Sequence, residues 1–253
     1  MARRLIDQNP RREQRRQVLL MQRIERPLEQ RLRAEIARAM REMVRVWQLT
    51  GEVQQDRDHQ PHLEAIYKAM AIATVTAFGA RIMDASKSFY GPIERKDFAA
   101  TMTRLALGYI ASEVIRRRIT GVAETTRSQI VSAVARGFDD GLGQSGIADY
   151  ITDLIPSISG YRADRIARTE THGAANYGSI SAAAETGLRL RKEWIAAEDE
   201  RTRESHDLAN GDIVEQDEWF DVGGEALFYP GDPGGSAAEV INCRCTIGFI
   251  VDD

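Results

Sequence analysis

EVINCRCTIGFIV, residues 239–251, decides how the C-terminal half of the chain is read. The stretch holds both cysteines of the protein, one residue apart. Taken as a strand over 240–251, it sends alternate side chains to opposite faces. Ile241, Cys243, Cys245, Ile247, Phe249 and Val251 then share an apolar face. Val240, Asn242, Arg244, Thr246, Gly248 and Ile250 share the other. A free cysteine on an apolar face behaves as a small hydrophobe. A disulfide is disfavoured, because residues two apart on a strand have Cα atoms about 6.5–7 Å apart, at the limit of disulfide geometry. The alternatives are a metal shared by the two thiolates with His206 as third ligand, and a nucleophilic thiol. The C-x-C spacing is tighter than the C-x₂₋₄-C pairs of strong zinc signals. Across the sheet, Asn242 and Arg244 are placed to fix neighbouring loops, with Asp199, Glu198 or Glu170 as carboxylate partners for Arg244.

Working outward, the preceding residues divide into short strand-like runs, LRLRKEWIAA (188–197) and ALFY (226–229), separated by loops rich in Gly, Asp and Pro. Asn210-Gly211 is a hairpin-turn dipeptide. YPGDPGG (229–235) reads as a rigid loop, and it lacks the lysine of a phosphate-binding loop. His206 lies among Asp199, Glu200 and Asp207. This is either an acid–base cluster or, more simply, a histidine that bonds backbone while the loop turns. Upstream, residues 161–187 read as a helix with small side chains over much of its surface, suited to close packing and ended by Gly187. Pro156 to Gly160 reads as a hinge, and His172 as a packed or surface histidine.

The first 155 or so residues read as helical. Asn9-Pro10 is a helix start. Met21, Ile24, Leu28, Leu32, Ile36, Met40, Met43 and Trp47 recur every three or four positions and paint one stripe. Pro27 is expected to kink this helix or begin a second one. A polar run at 51–60 separates it from a helix opened by Pro61, continuing to about Ser88 and ended by YGP (90–92). His59 and His62 flank Pro61 and are expected to be exposed. Phe98, Met102, Leu105 and Tyr109 mark a further helix, and Val122, Ile130, Val134 and Phe138 another. The turn DDGLGQSG (139–146) follows.

With 253 residues, 43% hydrophobic and 28% charged, the composition is that of an ordinary folded protein. Its net charge of −4 argues against a general nucleic-acid binder. The charge is uneven, however. Residues 1–48 hold thirteen arginines against six acids. Arg3, Arg4, Arg11, Arg12, Arg15 and Arg16 open this basic arm, which suits a polyanion such as DNA or an acidic partner surface. A solvated helix face is the plainer reading. The basic start has no apolar stretch after it, so no signal peptide is expected. The longest weakly polar run, AMAIATVTAFGA (69–80), is shorter than the ~20 residues of a membrane span. Synthesis in a reducing cytoplasm and no membrane partner are the corresponding expectations.

Four stretches occur in a recognisable order: RADRIARTETHGAAN (162–176), EWIAAEDERTRESHDLANGD (193–212), YPGDPGG (229–235) and INCRC (241–245). Together they resemble the phage Mu protein F-like module of phage head morphogenesis, or minor head, proteins, over residues 160–250. The positions that match are Arg168, Thr169, Glu170, Asn176, Trp194, Asp199, Arg201, Arg203, His206, Gly211, Pro230, Gly231, Asp232, Asn242, Cys243, Arg244 and Cys245. Many relatives carry a cysteine where this chain has Arg203 and a histidine near Val240, and in those a Cys/His metal site is plausible. The departure here argues against a metal at His206, Cys243 and Cys245.

The resemblance implies a minor structural protein of a tailed-phage head. Such a protein is made in the bacterial cytoplasm and enters the virion with the portal. It sits inside the capsid near the portal and assists assembly, DNA retention or DNA delivery. Portal protein, packaged DNA, and major capsid or scaffold protein are the implied partners, and no cofactor is implied. The fold expected is α+β: a helical region over 1–155, then an α+β module over 156–253 with an antiparallel sheet. Arg168, Glu170, Asp199, Arg201, His206, Asn242 and Arg244 are expected to form the polar cluster that fixes the module, without catalysis. A metal-dependent hydrolase or nuclease using His206 and the cysteines is the rival from another class. A DNA-binding packaging protein acting through the arm is the third reading.

Overall fold

The structure is a computed structural model that describes residues 3–90 and 97–252. The elements run β1 (Arg3–Arg4), α1 (Pro10–Thr50), α2 (His59–Tyr90), α3 (Phe98–Ala111), α4 (Glu113–Asp139), α5 (Gln144–Glu185), β2 (Leu190–Ile195), α6 (Glu204–Leu208), β3 (Ile213–Glu215), β4 (Phe220–Val222), β5 (Glu225–Leu227), α7 (Ala237–Val240) and β6 (Thr246–Val251). Helices dominate the N-terminal part and a small antiparallel sheet closes the C-terminal part, so the fold is α+β. The Gly91-Pro92 stop lies outside the described residues.

The chain forms two compact units built from non-contiguous stretches: Met1–Glu25, Met70–Ala111 and Arg168–Asp253 in one, Arg26–Ala69 and Ser112–Ala167 in the other. In the second, all-helical unit, the stripe read from the sequence is the core. Ile36, Met40, Met43 and Trp47 of α1 pack with Ile130 and Val134 of α4 and with Ile147, Ile151 and Ile155 of α5. Neither proline breaks its helix: α1 runs through Pro27 and α5 through Pro156. The expected second helix at 27 and hinge at 156–160 are therefore absent. An interior proline costs about 3 kcal/mol. Burial of Ile151, Ile155 and Ala163 on either side of Pro156 outweighs that cost.

This unit also buries a polar chain. His59 is fully buried, not exposed as expected, and only His62 reaches solvent. The His59 ring contacts Glu35 at 2.9 Å and Thr126 at 3.3 Å. Arg162 donates to Thr126, Gln129 and the Val122 carbonyl. Burial lowers the pKa of His59 and brings Arg162 down to about 10.

The first unit holds a four-stranded sheet in the order β1-β6-β2-β3, antiparallel throughout. The small residues of α5 allow the close approach expected of them. A Cβ on Gly178 would lie 2.8 Å from the Val75 backbone of α2, and one on Gly173 would lie 2.8 Å from the Gly231 carbonyl. The α2 helix is long and apolar enough to cross a membrane, its most apolar 18-residue window having mean hydropathy 1.2, although half of that window is buried within the protein. It is longer than the twelve-residue run picked out by composition because its polar residues stay helical.

The strand expected over 240–251 is only half present. β6 begins at Thr246, while 237–240 form the short helix α7 and 241–242 a turn. Asn242 takes φ +58°, a left-handed conformation that asparagine tolerates and a strand does not. Side chains take up the backbone groups that a ladder would otherwise pair. Asn242 N–H donates to Thr169 Oγ1, and the Ile241 carbonyl accepts from Arg203. The Cys245 carbonyl accepts from Asn176. The cysteines thus lie outside the sheet, and every residue of β6 is buried, so it has no solvent-facing polar side. Asn210-Gly211 does turn the chain, with Gly211 at φ +87°, but α6 and its flanking loops separate β2 from β3 there. The two-residue hairpin falls instead at Gly223-Gly224, between β4 and β5, with φ +63° and +81°.

Candidate functional site

The site lies in the sheet-bearing unit, where α5, α6 and the segment before β6 meet. Asn176, fully buried on α5, is its hub. Its amide nitrogen donates to the carbonyls of Pro230 at 2.7 Å and Cys245 at 3.3 Å, and its oxygen accepts from Ile247 N–H at 3.2 Å. One side chain thereby holds the PGDP loop, the cysteine segment and the first turn of β6 onto α5. Asp232 does the same within its loop, accepting from Phe228 N–H and Gly234 N–H. His172, one turn before Asn176, is buried. Burial takes its pKa down to about 4, so it is neutral at physiological pH.

The expected polar cluster divides into separate contacts. Arg244 and Asp199 form a two-pronged ion pair, with contacts of 2.5 and 2.6 Å, so Arg244 chooses Asp199 over Glu198 and Glu170. Arg168 reaches Asn242 Oδ1 at 3.4 Å and Glu25 at 3.5 Å. Glu170 is buried. The Arg201 side chain is exposed, and its backbone N–H donates to Asp199.

His206 faces elsewhere: its ring meets two thiols and a carboxylate, where the loop-fixing reading expected a backbone partner. Its Nδ1 lies 3.3 Å from Cys245 Sγ and 3.7 Å from Cys243 Sγ, and its Nε2 lies 2.9 Å from Glu239 Oε2. Trp194 packs edge-on against the imidazole, with ring centroids 5.4 Å apart. The three residues form a group whose ligand atoms all lie within 4.8 Å of one another. Both thiols are free and buried. Burial raises Cys243 well above the usual thiol range, whereas the hydrogen bond from Cys243 and the nearby imidazole lower Cys245. At 2% exposure neither sulfur is open to a bulky substrate.

Most of the basic arm is tied down within this unit. Arg3 and Arg4 form β1 against β6, and Arg4 makes a two-pronged pair with the buried Glu193. Arg11 pairs with Glu198 at 2.7 Å, and Arg16 with Asp7 at 3.0 Å. Arg12 sits 3.9 Å from Asp7, with its backbone N–H capped by Asn9. Arg3, Arg11, Arg12, Arg15 and Arg16 are all exposed, the pairs of Arg11 and Arg16 lying at the surface.

Two features escaped the sequence reading. Glu239 carries no local signal, since its partner His206 is 33 positions away. Lys192 did carry one, because alternation along β2 puts it on the face of Leu190 and Trp194. It is fully buried, donates to the Phe228 carbonyl at 2.9 Å and lies 3.4 Å from the centre of the Phe228 ring. Burial brings its pKa down to about 8. Its partner Phe228 also lines a cavity of about 800 Å³, together with Trp219, Tyr229, Tyr177, Leu105 and Ile180.

These residues describe an α+β module whose signature polar groups bind its own backbone and close its own loops. Residues 128–248 match the family described as Phage Mu protein F like protein. Among curated proteins, the chain is 31% identical over 128 residues to "Minor head protein GP7" of Bacillus phage SPP1, covering 49% of this chain and 41% of that one. It is 30% identical over 146 residues to "NAD(+)--arginine ADP-ribosyltransferase EFV" of Enterococcus faecalis, covering 56% of this chain and 30% of that one. It is 25% identical over 131 residues to "Uncharacterized protein YqbB" of Bacillus subtilis, covering 50% of this chain and 43% of that one. The chain thus spans less than half the length of these relatives. No solved structure matches it.

Proposed function

We propose that this chain is a minor head protein of a tailed bacteriophage, a virion component that works by binding and positioning rather than by turnover. The observation that carries this reading is the family match over 128–248 together with the likeness to a minor head protein over 128 residues. The geometry supports it. Asn176, Asp199, Asp232, Asn242 and Arg244 spend their hydrogen bonds on internal ties, as expected of a module that must keep its shape within an assembly. The relative named as an ADP-ribosyltransferase is matched over 30% of its length, and the activity in its name is not carried over.

In its finer form, the protein enters the capsid with the portal, lies inside the shell at the portal vertex, and assists assembly, DNA retention or delivery. Portal protein is the first partner. Packaged DNA, through Arg3, Arg12 and Arg15, and major capsid or scaffold protein come after it. Co-expression with portal protein alone tests this: the two co-purify as one complex by size exclusion. Separate elution under low and physiological salt, together with absence from purified particles by mass spectrometry, overturns the reading.

A further inference from the structure

We propose that His206 Nδ1, Cys243 Sγ and Cys245 Sγ form a binding site for one zinc-class divalent cation, with Glu239 as the positioning residue for the imidazole. The inference stands on local geometry and does not depend on the head-protein reading.

Distances come first. In a tetrahedral site with Zn–S near 2.3 Å and Zn–N near 2.0–2.1 Å, a nitrogen and a sulfur ligand lie about 3.5 Å apart. The two observed separations, 3.3 and 3.7 Å, bracket that value. All three ligand atoms fall within 4.8 Å of one another.

Proton bookkeeping comes second. Beside the Glu239 carboxylate, Nε2 is the nitrogen that donates, which leaves Nδ1 a lone pair. Nδ1 then accepts from one thiol, and the other has only the neighbouring sulfur, a weak acceptor, for its proton. A cation satisfies all three groups at once: both thiols release their protons and the two thiolates balance the dication in a buried place.

The outer contacts come third. A carboxylate holding the far nitrogen of a ligating histidine is the recurrent arrangement that fixes ring orientation and raises ligand basicity. Soft thiolates with imidazole select zinc over magnesium or calcium. Three protein ligands leave the fourth position to water. The cation would tie α6 to the segment before β6, two pieces too short to hold themselves in place.

The test uses the full chain, purified under reducing conditions, stripped with chelator and titrated with Co²⁺. The expected result is saturation at one equivalent, with a cobalt–thiolate charge-transfer band and the visible bands of a tetrahedral ion, both abolished by Zn²⁺. Glu239→Gln keeps the stoichiometry and weakens affinity about 10–100-fold. A C243S/C245S double variant, checked for fold by circular dichroism, loses the bands. Absence of the charge-transfer band in the wild-type protein overturns the proposal whether or not the double variant folds. Bands that persist in a folded double variant overturn it too. An unchanged affinity in Glu239→Gln overturns the role given to Glu239.

Discussion

Asn176→Ala is the perturbation that most directly probes the internal-tie reading. The asparagine is fully buried, and its loss strands the Pro230 carbonyl and the Ile247 N–H and takes one of two donors from the Cys245 carbonyl, which also bonds His172. Each buried polar group left unsatisfied costs about 1–3 kcal/mol, and some relaxation is available to the PGDP loop, so the expected loss is about 3–5 kcal/mol. The loss is local first, because the groups belong to a loop and to the segment entering β6, which this one side chain bridges. Hydrogen exchange followed by mass spectrometry is the matching assay. Peptides covering 228–232 and 243–251 exchange on the order of 10²–10⁴-fold faster in the variant, since each 1.4 kcal/mol is about tenfold. Asn176→Asp spares the acceptor for Ile247 but removes both donors and adds a buried charge, so it is at least as damaging. A folded Asn176→Ala variant with wild-type exchange at Ile247 and Phe228 refutes the reasoning.

Gly178→Ala drives a Cβ to 2.8 Å from the Val75 backbone and lowers stability by about 1–3 kcal/mol. Gly108→Ala in α3 meets nothing within 4 Å and raises it by about 0.5–1 kcal/mol, so the two melts move in opposite directions. Lys192 has a folded-state pKa lowered from 10.5 to about 8, so between those values the unfolded chain binds more protons and stability rises with pH. Thermal midpoints rise from pH 8 toward 10 relative to Lys192→Met, which lacks this contribution. A variant with the same pH profile contradicts the assignment. Arg244→Ala removes a partly exposed ion pair and costs no more than about 1 kcal/mol in a urea titration. If DNA is a partner, an R3A/R12A/R15A variant lowers the slope of log affinity against log salt by about 2–3, while Arg4→Ala, whose guanidinium is spoken for by Glu193, leaves it nearly unchanged.

Helix content was legible because periodicity survives burial. The stripe from Met21 to Trp47 is the face that packs, whatever packs against it. The prolines misled because a proline's local cost is small beside the apolar area of a long helix. The sheet was half legible. β2 and β6 carry enough apolar residues to be read, whereas β3 and β4 are three residues each and exist because a neighbour pairs with them. The cysteine segment was misread because alternation was carried through Asn242, where the backbone reverses.

The sequence by itself determined that the chain is α+β, that helices precede a small sheet, and that four ordered stretches carry the family's marks. These are local patterns, and each residue contributes to them through its immediate neighbours. Only the tertiary structure decided that Arg4 is committed to Glu193, that Asn176 is a hub, and that His206 meets two thiols and Glu239. Those contacts join residues 33 to 189 positions apart. Their energy depends on burial and on which backbone groups a ladder leaves unpaired, and neither is written in the spacing of residues along the chain.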